Sequence, residues 1–137
     1  MKPKNNKYIR LLLIAGAVVA LDQYTKWFVR ENIPLDDSWL PESMLWLAPY
    51  ARFVHIQNSG ASFGMFQNGN AIFTLLAFLV IGGILYYISK LEHVSRLTWL
   101  AAGLYLGGAI GNLIDRVTIG TVTDFVSVGT FYIFNVA

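Results

Sequence analysis

The chain has 137 residues, 55% of them hydrophobic and only 13% charged, with a mean hydropathy of +0.52 and a formal net charge of +2. Soluble domains carry about 25% charged residues, and one this small could not bury so much apolar side chain, which excludes a water-soluble globule and points to surface facing lipid. There is no cysteine, so disulfides, thiolate chemistry and Cys-based metal sites are excluded; His55 and His93 lie in different segments and give no reason to expect a His-built zinc site, nor does the small net charge for nucleic acid.

Three apolar runs are long enough as helices to cross about 30 Å of hydrocarbon. The first covers about 9–29. Lys2, Lys4, Lys7 and Arg10 precede or open it, as in a cleaved leader, but its apolar character resumes past Leu21 through Trp27, Phe28 and Val29 without a small-residue cleavage site, so it reads as a retained helix. Within it Asp22 and Lys26 stand one turn apart, acid first, the order that favours an i,i+4 ion pair. A carboxylate inside a membrane is costly enough to be a functional candidate, and this pair reads as support for a site.

The outer segment 30–70 follows. Pro34, Pro41 and Pro49 punctuate it, with Trp39, Leu40, Leu45, Trp46 and Leu47 between, a composition that predicts an interfacial stretch lying on the membrane. Arg52 to Gln57 is rich in strand formers, and Asn58-Ser59-Gly60 reads as the turn that ends it. The second span covers about 71–89 and holds no charge. The third, about 97–115, carries Gly103, Gly107 and Gly111 at four-residue spacing, a face on which another helix can approach closely. At its end Asn112, Asp115 and Arg116 fall at i, i+3 and i+4 and share a face. In the segment 116–137, Thr121–Val128 and Thr130–Phe134 are strand-like runs parted by Gly129, a possible hairpin.

Basic residues flank the chain unequally. They favour an amino terminus in the cytoplasm, which places 30–70 and 116–137 together on the outer side. Asp22, the Asn112 cluster and the Asn58 turn then share one depth. Asp124 lies just beyond them in Val122-Thr123-Asp124-Phe125-Val126. Near lipid its charged form is poorly solvated and its pKa should rise, which suits a carboxyl that shares a proton with a second carboxyl and activates water. Asp115, Asp22 or a residue outside the sequence could be the partner; the residues alone do not choose. A non-catalytic transporter or channel subunit using Asp22 and Asp115 as ion sites is the rival reading.

Five segments in order carry a resemblance: Leu21-Asp-Gln-Tyr-Thr-Lys26, Asn58-Ser-Gly-Ala-Ser-Phe63, Gly107-Gly-Ala-Ile-Gly-Asn-Leu-Ile-Asp-Arg116, Val122-Thr-Asp-Phe125 and Phe134-Asn-Val-Ala137. Together they resemble the motif series of the lipoprotein signal peptidases (signal peptidase II). The resemblance implies an α-helical polytopic membrane protein with an outer β cradle and interfacial helix, a single peptidase domain over 1–137. It implies an aspartic endopeptidase of the bacterial inner membrane that needs no metal or cofactor and is expected to act as a monomer. The substrate would be a diacylglyceryl-modified prolipoprotein, cut on the amino side of the lipidated Cys at the outer face of the membrane. By similarity Asp124 is one catalytic carboxyl. Asn58, Asn112, Arg116 and Asn135 match substrate-binding positions, and Asp22, Lys26, Gly60 and Asp115 match supporting ones. The second catalytic Asp of the family's Phe-Asn-x-Ala-Asp motif is expected just after Ala137, and a fourth helix after it, so the sequence reads as a C-terminally truncated enzyme whose own activity is in question.

Overall fold

A computed structural model describes residues 6–60, 66–129 and 132–137. Lys2 and Lys4, Ala61 to Phe63 of the second motif, and Thr130 at the start of the last strand-like run lie outside the described residues. Three long helices, α1 (Asn6–Asn32), α2 (Asn70–Lys90) and α3 (Arg96–Thr118), stand beside a four-stranded antiparallel sheet. Each helix is long and apolar enough to cross a membrane.

Local chemistry sets the helix ends. α1 stops at Asn32 because Pro34 lacks an N–H and disfavours helical backbone at Ile33 before it. Ser95 caps the start of α3, its hydroxyl accepting the Thr98 N–H at 3.0 Å, and the helix stops before Gly120, whose φ of +81° only glycine takes without strain. The expected boundaries fall within a few residues of those observed.

α1 and α3 pack along the glycine face. A Cβ built on Gly103 would meet Ile14 at 2.5 Å, and one on Gly107 would meet Val18 at 2.6 Å and the Ala15 carbonyl at 2.9 Å. The helices approach this closely because side chains are missing there. At the end away from the sheet, Leu11, Ala15, Ile88, Trp99 and Leu106 form a buried cluster that ties all three helices together. Elsewhere the helices expose Leu12, Leu13, Leu75, Leu79 and Tyr105, the arrangement expected of surface solvated by lipid.

The sheet has the order β1 (Ser38–Trp39), β2 (Ala51–Asn58), β3 (Val122–Val128) and β4 (Tyr132–Phe134). The expected strands and the β3–β4 hairpin are present, and Gly129 takes φ +61° between them. The interfacial stretch forms β1 and a 3-10 helix, Glu42–Leu47, that exposes Met44, Leu45 and Trp46. Phe125 on β3 packs against Val29 and Ile33 at the end of α1, which seats the sheet on the helices.

Candidate active site

Asp124 sits in the centre of β3 and is only 6% exposed. Both carboxylate oxygens accept amide protons: Oδ2 from Asn58 Nδ2 at 3.0 Å, and Oδ1 from Asn135 Nδ2 at 2.7 Å. Asn58 closes an Asx turn through the Gly60 N–H to its own Oδ1 at 2.9 Å, and Asn135 does the same with the Ala137 N–H at 2.7 Å. Each turn commits the amide oxygen and so aims the NH2 group at Asp124. The carboxyl is pushed above its ordinary value by burial. The hydrogen bonds from Asn58 and Asn135, and the positive charges of Lys26 and Arg116, pull the other way without reversing the shift.

Behind this group lies a charge cage. The Lys26 ammonium, fully enclosed, contacts Asp22 Oδ2 at 2.8 Å and Asp115 Oδ2 at 3.1 Å and donates to Asn112 Oδ1 at 2.9 Å. The i,i+4 ion pair read from the sequence is present, and α3 completes it. Asp115 also accepts the Thr123 N–H at 3.0 Å, which fixes the start of β3 one residue before Asp124. Buried charges survive in such a setting only when paired and hydrogen-bonded, and each of these is.

Asn112 and Asp115 therefore turn toward α1, whereas Arg116 leaves them. Its NH2 donates to the Gly60 carbonyl at 3.3 Å, and the guanidinium lies 5.6 Å from the Phe73 ring centroid. A cavity of about 80 Å³ collects Asn58, Asn112, Arg116, Asp124, Asn135 and Ala137 from four segments of chain. Every expected substrate-binding residue lines it, together with Asp124. Asp22 and Asp115, the other candidate partners for Asp124, are instead bonded to Lys26, and the open ion sites that a transporter reading requires are closed by that cation.

Three participants escaped the sequence reading. Gln23 Nε2 lies 3.1 Å from each of Asp22 Oδ2, the Gly111 carbonyl and Asp115 Oδ1, and Arg30 donates to Thr123 Oγ1 at 3.1 Å while standing 3.6 Å from Asp115. Gln23 and Thr123 lie inside two of the motifs, but nothing in the pattern says which groups they meet; Arg30 lies in none of them.

Comparison with known proteins agrees with this architecture. The family described as signal peptidase (SPase) II matches residues 14–137. The lipoprotein signal peptidase of Geobacillus thermodenitrificans is 41% identical over 131 residues, covering 91% of this chain and 78% of its own. That of Symbiobacterium thermophilum is 38% identical over 115 residues, covering 83% and 72%. Among solved structures, a bacterial membrane enzyme determined by the in meso method at 2.3 Å resolution superposes with a TM-score of 0.81 at 28% identity, over 92% of this chain and 76% of that one.

Proposed function

The chain belongs to the signal peptidase II family, and from that premise we propose that Asp124 is a catalytic carboxyl which cleaves diacylglyceryl-modified prolipoproteins on the amino side of the lipidated Cys. The observation that carries this reading is a buried acid held by two opposed amides, in a cavity lined also by Asn112 and Arg116. A carboxyl with a raised pKa can hold a proton at neutral pH and give it to a scissile carbonyl, while an ionised partner takes a proton from water.

Asp22 and Asp115 are each ion-paired with Lys26, which favours as the partner the acid of the Phe-Asn-x-Ala-Asp motif, whose first four positions match Phe134 to Ala137. Ala137 lines the same cavity as Asp124, which supports this reading. Asn58, Asn112, Arg116 and Asn135 hold the substrate backbone. Amides and a guanidinium fix a peptide without competing for the proton.

The sheet, the start of α2 and the ends of α1 and α3 meet at one end of the helices, as Asn70 Nδ2 reaching the Arg116 carbonyl at 3.4 Å illustrates. With the amino terminus in the cytoplasm, that end faces the outer side of the inner membrane. The exposed Trp39, Leu45 and Trp46 rest at the lipid surface there, where a lipid-modified Cys would be held.

The test is cleavage by the full-length enzyme in bilayers, comparing prolipoprotein with and without its diacylglyceryl group. Release of the signal peptide from the lipidated form alone, with the Cys as the new amino terminus, is the expected result. Equal cleavage of both forms, or of neither, would remove this reading.

A further inference from the structure

Lys26 is the largest side chain among the described residues that the fold closes off completely. Its ammonium has three protons and nothing to accept with. Three oxygens take them: Asp22 Oδ2, Asp115 Oδ2 and Asn112 Oδ1. Two of these are counter-ions, which is enough to balance the charge. The third is a neutral amide, so its contact with the cation has another consequence.

That consequence is direction. A carboxamide has an acceptor on one side and a donor group on the other, and either could face a neighbour. At Asn112 the choice is forced, because Asn135 Nδ2 donates to the same Oδ1 at 3.2 Å. Turning the amide over would set its NH2 against an ammonium and a second NH2. Asn112 Nδ2 is therefore held away from the cage, and among the described residues it donates to no protein acceptor. Asn112 lines both the cavity beside Asp124 and a wider apolar groove of about 570 Å³ bordered by Val80, Leu104 and Tyr105; Ala137 borders both as well.

We propose that Lys26 is a positioning residue for peptide cleavage. Through its hydrogen bond to Asn112 Oδ1 it keeps the Asn112 N–H bonds aimed into the hollow beside Asp124, where they donate to a backbone carbonyl of the bound substrate. The inference rests on the peptidase reading above and adds a residue that does not touch the substrate. Asp22, Asp115 and Gln23 then serve to neutralise and fix the cation rather than to act on the peptide.

A double-mutant cycle on the full-length enzyme in bilayers tests this, with kcat, KM and Tm measured on diacylglyceryl-modified prolipoprotein for Lys26→Met, Asn112→Ala and the pair. Each single change should lower kcat/KM by on the order of a hundredfold, the usual cost of a misplaced binding group. The pair should lose no more than about threefold beyond Asn112→Ala alone, because a positioner then has nothing to position. Losses that multiply would overturn the proposal, since Lys26 would then act through the fold. Lys26→Met strands two carboxylates, so the cycle is repeated with the charge-balanced Lys26→Met/Asp22→Asn and with Lys26→Arg, and multiplicative loss in any folded background counts against it. If the unaltered enzyme fails to cleave, or Asp124→Asn cleaves normally, the peptidase reading falls and takes this inference with it.

Discussion

Asn58 shares a face of the sheet with Asp124 because β2 carries one extra residue. The ladder pairs Phe53 with Val126, then Ile56 with Asp124 and Asn58 with Val122, with an irregularity between Phe53 and Ile56. Had the first register continued, His55 would stand across from Asp124, and Asn58 would point to the opposite face. The bulge shifts the alternation by one and brings the Asn58 amide to Asp124 Oδ2.

Replacing Asp124 by Asn should abolish cleavage while preserving the fold. The amide keeps the shape but cannot transfer the proton, so kcat should fall by at least about a hundredfold. One of its positions now meets a donor from Asn58 or Asn135, a stability cost of about 1 kcal/mol. Turnover measured beside thermal unfolding checks both; undiminished turnover removes Asp124 from the chemistry.

The same substitution reports on the raised pKa. A carboxyl whose pKa is higher in the folded than in the unfolded state favours folding fully below its unfolded pKa, and that contribution is lost as pH rises through the folded value. The Tm of the wild type relative to Asp124→Asn should therefore fall as pH climbs from the ordinary carboxyl range toward neutrality. A difference that rises over that interval contradicts the assignment.

Asp115→Asn separates a structural acid from a catalytic one. Asp115 receives Lys26, Gln23, the Thr123 N–H and, at longer range, Arg30. With its oxygen in the place of Oδ2 the amide still accepts from Lys26 and Thr123, but its NH2 then faces the Gln23 amide and the Arg30 guanidinium, a loss of about 1–3 kcal/mol. The folded fraction should retain kcat within about tenfold. Abolished turnover with an unchanged Tm would make Asp115 the partner of Asp124 instead.

Gly107→Ala should open the α1–α3 contact, because the new Cβ would fall 2.9 Å from the Ala15 carbonyl, a backbone atom that cannot swing aside. The expected cost is about 1–3 kcal/mol. Gly82→Ala, where nothing stands within 4 Å, should be neutral or stabilising by up to about 1 kcal/mol. Unfolding of the two variants in one detergent compares them directly; equal Tm values would contradict the close packing.

Apolar runs, prolines and glycine spacing were enough to place the three spans, the strands and the helix–helix face, because each depends on neighbours within a few residues or on transfer from water to lipid. The motif order gave the family, and Asp124, Asn58, Asn112, Arg116 and Asn135 as candidates. Which groups meet was decided only by tertiary structure. Asp115 and Arg116 are adjacent and share a helix end, yet one turns inward to Lys26 and the other toward Gly60, since a 100° step per residue sends neighbours to different partners once α1 occupies the glycine face. The bulge in β2, the bridging Gln23 and the Arg30 contact to Thr123 are likewise settled by packing across segments, for which a single chain read in order holds no signal.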